Sequence, residues 1–248
     1  MATIKTSGIV IRQINLGEAD KILTILTRDR GKIRAVVKGV RRPKAKLAGF
    51  TDMFRYNDFV LAEGKNLDIV ISAVTIEQFI SDGIELEKIG IIYYLCELVD
   101  KLMEETNEVK GVFELLREAL HFVRNHDIDS ALIKSYFEMK MLLLLGYSPE
   151  LNQCVATHKK LGDEDELSFS VRLGGVLCGD AKIKDDFARP ISQNTLKFLR
   201  LLQCYPLADV SKIKADPEIL NQMSAVTSDF VEYVMEVRPK SLAVLGEL

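Results

Sequence analysis

The chain has 248 residues, 48% of them hydrophobic and 28% charged, which is typical of a globular protein that buries a sizeable core. No apolar run approaches the roughly 20 residues of a membrane span, and the first eight residues carry no apolar secretion signal. Four cysteines in a chain of this length, without an export signal, favour reduced thiols over a disulfide framework. These features predict a cytoplasmic protein without a membrane partner.

Charge is distributed unevenly along the chain. The whole sequence has a formal net charge of −3, from 33 lysines and arginines and 36 acidic residues. Residues 1–65 contain 14 basic and 6 acidic residues, whereas the rest of the chain contains 19 basic and 30 acidic residues. A basic segment joined to an acidic body is typical of a protein whose first part binds an anionic partner. We expect the acidic body mainly to keep the protein soluble.

The first 80 residues carry the pattern of short β-strands. Apolar runs rich in isoleucine, valine and threonine alternate with polar or glycine-containing turns. The predicted strands are residues 4–13, 21–27, 32–38, 57–61 and 67–76. Five short antiparallel strands in so small a segment would leave exposed edges in an open sheet, so the pattern favours a small barrel of the OB-fold type.

After Gly83 the apolar spacing changes to that of amphipathic α-helices. The predicted helices are residues 84–105, 109–124, 130–145, 192–203, 217–223 and 226–237. The third helix ends in the run from Met141 to Leu145, which is apolar on every side and predicts a central, buried helix. Because such helices bury their apolar faces against one another, we expect a helical bundle.

Residues 150–189 interrupt the helical pattern. They contain an acidic run at residues 163–166, an alternating stretch at residues 168–172 and a pair of glycines at residues 174 and 175. This composition predicts an insertion that carries a β-hairpin. The chain is therefore predicted to be an α+β protein, with a barrel domain at residues 1–80 and a helical domain at residues 81–248 that contains the insertion.

The densest cluster of charge lies in residues 28–46, which contain nine cations and a single acid, Asp29. In the predicted third strand, Lys32, Arg34 and Lys38 fall on one face and apolar residues on the other. A charged strand face beside a cationic loop can bind a phosphate backbone without reading bases. The candidate nucleic-acid-binding residues are Arg28, Arg30, Lys32, Arg34, Lys38, Arg41, Arg42, Lys44 and Lys46.

Aromatic residues beside this cluster are weaker candidates. Tyr56 and Phe59 have rings on which bases can stack, although packing in the barrel is the preferred role, and the chain has no tryptophan. Binding to an anionic polymer in general is therefore better supported than specificity for single strands.

No catalytic constellation is recognisable in the sequence. The three histidines, His121, His126 and His158, lack a metalloprotease spacing, and the phosphate-loop, nucleophile-elbow and dinucleotide motifs are absent. The acids at residues 163–166 form a solvated run rather than a converging pair. We therefore predict a binding protein without catalytic residues or a cofactor. An RNA-binding OB-fold module and a metal-dependent phosphodiesterase remain as alternatives.

The sequence resembles the RecO family of recombination mediators. Val37-Lys38-Gly39-Val40-Arg41-Arg42-Pro43-Lys44 is similar to the Lys-Gly-x-Arg-Arg loop of that family. Further similar stretches follow the order of the family along nearly the whole chain. They are residues 17–21, 26–32, 137–142, 145–149, 174–178 and 238–241.

The resemblance implies an N-terminal OB-fold followed by a helical bundle with a small zinc-ribbon-like insertion. It implies a nucleoid-associated DNA repair protein that binds single- and double-stranded DNA and anneals complementary strands. The implied partners are RecR and the C-terminal tail of single-strand-binding protein, with RecF and RecA as further candidates. In this sequence the DNA-binding role falls on Lys38, Arg41, Arg42 and Lys44.

The insertion departs from the family pattern at its cysteines. Many relatives carry two Cys-x-x-Cys pairs there, which is the spacing of a structural zinc site. In this chain Thr157 follows Cys154 at the second ligand position, and Ala181 follows Cys178. Two thiolates do not make a four-ligand site, so the sequence predicts an insertion without a bound metal, held by packing.

Overall fold

The computed structural model describes residues 2–163, 165–236, 239 and 241. Residue 164 of the acidic run, residue 237 at the end of the last predicted helix, and residues 238 and 240 of the C-terminal motif lie outside the described residues. The chain divides into two compact units, the first running to His126 and including residues 239 and 241, the second beginning at Asp127. The division into domains near residue 80 stays a prediction.

The first unit is built around a five-stranded barrel. Its strands are β1 (Thr3–Leu16), β2 (Asp20–Thr27), β3 (Lys32–Val37), β4 (Arg55–Ala62) and β5 (Asp68–Gln78). They pair in the order β1-β2-β3-β5-β4, and β4 pairs again with β1, so the sheet closes on itself. The β3–β5 seam is parallel and has just two residue pairs, while the other seams are antiparallel. The predicted OB-like barrel is confirmed.

The interior of the barrel follows the strand alternation. In β3, Ile33, Ala35 and Val37 are buried in the barrel core with apolar residues of the other four strands. The turn before β3 depends on Gly31, which has a φ of 65°. A methyl group on Gly31 would lie 2.4 Å from the main-chain oxygen of Asn107, so no larger residue fits there without a shift of the backbone.

Two helices complete the first unit, α1 (Leu86–Leu102) and α2 (Val112–Asn125). They bury their apolar faces against the barrel and against each other. Two aromatic pairs join helix to barrel. The rings of Phe54 and Tyr93 meet edge to face at 4.5 Å between centroids, and those of Tyr56 and Phe113 lie 5.5 Å apart.

The second unit contains the remaining helices, α3 (Ser130–Leu144), α4 (Gln193–Cys204), α5 (Leu207–Val210) and α6 (Pro217–Met235). α3 packs against both α4 and α6 and is buried over much of its length, as predicted, but the end of its apolar run is not, since Leu143 is 40% exposed. Its N-terminus is capped by Asp129, whose carboxylate accepts hydrogen bonds from two backbone N–H groups. The two helices predicted at residues 217–223 and 226–237 are one continuous helix, since no glycine or proline interrupts the chain between them.

The insertion forms a three-stranded sheet of β6 (Leu167–Ser170), β7 (Gly175–Cys178) and β8 (Arg189–Ile191), in the order β7-β6-β8. The antiparallel β6–β7 pair is the predicted hairpin. The backbone of Glu150 pairs with the other side of β7, through hydrogen bonds of 2.9 Å to Gly174 and 3.0 Å to Val176. The insertion is therefore joined to the chain that directly follows α3.

Asp185 holds part of this insertion in place. Its buried carboxylate accepts a 2.5 Å hydrogen bond from the Ser170 hydroxyl and a 3.2 Å bond from the backbone N–H of Phe187. These donors, with the hydroxyl of Ser170 contributing most and Arg172 adding its charge, lower the pKa of Asp185. The unfolded chain therefore takes up this proton first as the pH falls, and stability is lost through and below the ordinary range of an aspartate, about pH 4.

We expect Asp185→Asn to lower the free energy of unfolding of the second unit by about 1–3 kcal/mol at neutral pH, because donors lose their charged acceptor. The loss should shrink as the pH falls toward 3, where the wild-type carboxylate also takes up a proton. Unfolding curves of both proteins from pH 7 to pH 3 measure this difference. Parallel curves for the two proteins would contradict the role assigned to the carboxylate.

Among the described residues, no helix has the length and hydrophobicity that crossing a membrane requires.

Candidate nucleic-acid interface

The nine cations predicted to bind nucleic acid all lie in the first unit. Arg28 and Arg30 occupy the turn between β2 and β3, and Lys32 and Arg34 lie in β3. The other five follow β3 in residues 38–46, which we call the cationic loop. They are Lys38, Arg41, Arg42, Lys44 and Lys46. The four cations before the cationic loop and the five within it differ in their surroundings.

All four cations before the loop are paired with acids. Their partners come from β5, from the two helices of the unit and from the segment between these helices, none of them close in sequence. The ion pairs are Arg28–Glu114 at 3.2 Å, Arg30–Asp68 at 3.3 Å, Lys32–Asp100 at 3.3 Å and Arg34–Glu105 at 2.6 Å. A cation that already has a carboxylate partner attracts a phosphate less strongly, because the negative carboxylate repels the negative phosphate.

Lys32 differs most from its predicted position on an exposed strand face. Lys32 is 7% exposed, and its Nζ donates hydrogen bonds to the main-chain oxygen and to a carboxylate oxygen of Asp100 in α1. The cause is a short segment after α1 that covers the edge of β3. There the backbone N–H of Thr106 donates a hydrogen bond to the main-chain oxygen of Lys32 at 2.8 Å, and the backbones of Glu105 and Lys32 form an isolated parallel β-bridge. Strand alternation alone did not reveal this cover.

The cationic loop presents its charges to solvent. All five of its lysines and arginines are exposed. In the part of the chain that the structure describes, no carboxylate forms an ion pair with any of the five, in contrast to the four cations before them. Within the described ranges, the side-chain hydrogen bond that this group forms runs from the Arg41 guanidinium to the main-chain oxygen of Gly17, at 3.0 Å.

The backbone of the cationic loop is attached to the barrel at several points. The N–H of Gly39 donates to the Asp20 carboxylate at 2.7 Å, and the N–H of Arg41 donates to Ala19 at 2.9 Å. Val40 is buried in the barrel core, and Phe50 packs against that core beyond the loop. The exposed charges therefore project from a backbone whose two ends are fixed.

The aromatic residues next to the loop are not exposed. Phe54, Tyr56 and Phe59 are all buried, which confirms the preferred role in packing. Among the described barrel residues, none offers an exposed aromatic ring to a base. The charges of the loop can attract phosphates, while base stacking has no platform on the described barrel surface.

The insertion does not fit the zinc site of a zinc ribbon. Cys154 and Cys178 lie together, but the second ligand positions hold the hydroxyl of Thr157 and the methyl group of Ala181. Tetrahedral zinc takes four ligands, usually thiolates and imidazoles. Across the described ranges, no group of three histidine, cysteine or acidic residues is arranged to hold a metal ion.

An OB-like barrel with an exposed cationic loop, whose cations have no acidic partner among the described residues, is typical of the oligonucleotide-binding class. Two family models match the chain, "Recombination protein O N terminal" at residues 1–79 and "Recombination protein O C terminal" at residues 85–243. The chain therefore belongs to the RecO family, whose members act in DNA repair and recombination.

Individual relatives show the same similarity over nearly the full length. The DNA repair protein RecO of Dehalococcoides mccartyi strain 195 is 34% identical, with 98% of this chain and 95% of the relative covered. The protein of that name from Roseiflexus sp. strain RS-1 is also 34% identical, covering 98% and 85%. That of Acetivibrio thermocellus is 30% identical, covering 95% and 93%. The family resemblance seen in the sequence motifs is confirmed.

Proposed function

We propose that this protein is a non-enzymatic recombination mediator that binds DNA through the cationic loop and anneals complementary single strands. The observation that carries the proposal is the set of five exposed cations in residues 38–46, for which the described residues provide no acidic partner. Membership of a DNA repair family supplies the biological setting. Both single- and double-stranded DNA are suitable ligands, because both present a phosphate backbone.

The mechanism requires no covalent step. Two complementary strands repel each other because each carries a charge at every nucleotide, and cations bound to the phosphates reduce that repulsion. Contacts to phosphate leave the base edges free to pair. The absence of an exposed aromatic ring on the described barrel surface supports this mechanism, since stacked bases would have to be released before pairing.

The nine candidate residues take different roles in this proposal. Lys38, Arg41, Arg42, Lys44 and Lys46 bind phosphate directly, because their charges are exposed and unneutralised. The guanidinium groups of Arg28, Arg30 and Arg34 add to the positive potential around the loop, but their acidic partners weaken this contribution. Lys32 stabilises the fold, because it is buried against α1.

Protein partners complete the proposed role. With RecR, the protein would help load RecA onto strands that are coated by single-strand-binding protein, whose C-terminal tail it would contact, and RecF is a further candidate partner. These partners are proposed from the family resemblance. A DNA repair role of this kind would be carried out at the nucleoid, in the cytoplasm.

The test is the rate at which complementary labelled oligonucleotides anneal, bare and coated with single-strand-binding protein. We expect Arg41→Ala/Arg42→Ala to slow annealing about tenfold or more near 0.1 M salt, since two phosphate contacts are lost. The matched control is Arg28→Ala/Arg34→Ala, which removes the same charge from two cations that are already paired with acids. We expect a much smaller loss in the control.

Other results would contradict the proposal. Annealing by the loop variant at the wild-type rate would mean that the exposed loop charges do not contact DNA. Preference for RNA in a competition between RNA and DNA oligonucleotides would favour an RNA-binding module. Cleavage of labelled DNA in the presence of Mg²⁺ or Mn²⁺ would favour a phosphodiesterase.

A further inference from the structure

Two cysteines meet in the small apolar core of the insertion. Cys154 is fully buried there, with Leu177 and Ala181, and Cys178 is half-buried against the same cluster. Cys154 lies in the turn that follows α3, whereas Cys178 is the last residue of β7. All four cysteines of the chain are free thiols.

The sulfur of Cys154 is surrounded by hydrogen-bond donors. It accepts bonds from the hydroxyl of Thr157 and from the backbone N–H groups of Ala156, Thr157 and Cys178. The turn itself is closed by the N–H of His158, which donates to the main-chain oxygen of Cys154 at 2.8 Å. Burial raises the pKa of the Cys154 thiol, but the donors outweigh burial and lower it to about 7.

The two side chains also interact directly. Both side chains pack in the same small cluster, close enough for Cys154 to act on the Cys178 thiol. Burial, together with the neighbouring Cys154, raises the pKa of Cys178. The thiol of Cys154 therefore loses its proton at a lower pH than the thiol of Cys178 does.

This pair supplies two of the four ligands of a zinc ribbon, so its chemistry is that of two neighbouring thiols. The hydroxyl of Thr157 donates to the first sulfur where a second thiolate would be needed, and the methyl group of Ala181 offers no lone pair. Two free thiols packed in one cluster, without the other two ligands of a zinc site, are suited to oxidation to a disulfide.

We propose that Cys154 and Cys178 form a reversible disulfide when the protein meets a hydroperoxide. The Cys178 proton passes to Cys154, and the Cys178 sulfur attacks the peroxide. The O–O bond breaks, and the leaving oxygen takes a proton from the solvent and departs as an alcohol or water. Cys154 then attacks the resulting sulfenic acid of Cys178, the S–S bond forms, and water leaves with the proton of Cys154. Two thiols thus lose two electrons, and a thiol reductant reverses the reaction.

The experiment uses the full chain with Cys204→Ser, because Cys204 is exposed and would otherwise react between molecules. The protein is treated with stoichiometric hydrogen peroxide, free thiols are blocked, and the digest is analysed by mass spectrometry without reduction. We expect a peptide pair linked through Cys154 and Cys178, and its loss after treatment with dithiothreitol. Cys154→Ser and Cys178→Ser should each abolish it, whereas the control Cys96→Ser should not.

A second variant tests the geometry of the pair. Thr157→Val removes one donor to the Cys154 sulfur and keeps the shape of the side chain. We expect the midpoint of the pH profile of thiol oxidation to move above that of the wild type, because the Thr157 hydroxyl lowers the pKa of Cys154. Circular dichroism checks that each variant is folded.

Two results would overturn the proposal. One is the recovery of three unmodified thiols from the peroxide-treated Cys204→Ser protein. The other is stoichiometric zinc in the purified protein that protects Cys154 and Cys178 from blocking until a chelator is added, which would make the pair a metal site.

Discussion

Removing three charges from the cationic loop should reduce the affinity for single-stranded DNA about 100-fold near 0.1 M salt. The variant is Arg41→Ala/Arg42→Ala/Lys44→Ala, whose three residues are exposed and have no acidic partner among the described residues. Each phosphate contact contributes about 0.7 to the slope of log affinity against log salt concentration for a single strand, so the slope should fall by about 2. Titrations at several salt concentrations measure both quantities.

The matched control removes the same charge from the paired cations. In Arg28→Ala/Arg30→Ala/Arg34→Ala, each replaced residue leaves an acid behind, so the local field also becomes more negative. We nevertheless expect a smaller change in the salt slope than in the loop variant, because these cations release fewer counterions from DNA. Equal losses of slope in the two variants would mean that all the cations form one phosphate-binding surface, as the sequence pattern suggested.

The second large effect concerns stability. Asp100→Ala should lower the free energy of unfolding of the first unit by about 3 kcal/mol, because it removes the carboxylate partner of the buried Lys32. Lys32→Met should cost less, since an apolar chain of similar length fills the same space and Asp100 keeps its ion pair with Arg12. Hydrogen exchange of peptides from β2 and β3 measures both changes.

Lys32→Met also separates structure from binding. If Lys32 serves the fold, the variant should bind DNA with nearly the wild-type salt slope. A stable Asp100→Ala protein together with a clear loss of DNA binding in Lys32→Met would contradict the structural role, and would return Lys32 to the phosphate-binding residues. Arg12, which lies 3.1 Å from Asp100, loses the same partner in Asp100→Ala, so Arg12→Ala is the control for that contact.

The barrel and the loop could be predicted from local patterns in the sequence. Alternation in β3 predicted that Ile33, Ala35 and Val37 face the core, and the change of period after Gly83 predicted the start of the helices. The exposure of the cationic loop followed from its density of charge, since so many cations cannot be buried without partners. Such features depend on residues that are neighbours in the chain.

The pairing of the strand cations could not be predicted in this way. Lys32 and Asp100 are 68 residues apart, and nothing near either residue indicates the other. The segment at Glu105 and Thr106, which covers the edge of β3, was predicted as the end of a helix and its connection. Similarly, the contact between Cys154 and Cys178 could not be predicted, because it depends on how the turn after α3 packs against β7. The sequence showed that the second cysteine of each Cys-x-x-Cys pair is absent, but not that the two remaining cysteines are neighbours.

The way the cationic loop is attached has a consequence for how this protein can evolve. Its backbone is fixed by the buried Val40 and, beyond the loop, by the partly buried Phe50, while its charged side chains are exposed. A substitution of one of these cations therefore changes stability by a few tenths of a kcal/mol, as is usual at exposed positions. Lys32 has no such freedom, because it is buried and its Nζ is bonded to Asp100 of α1. Natural selection can adjust charge in the loop at little cost to the fold, whereas a change at Lys32 also disturbs the contact between β3 and α1.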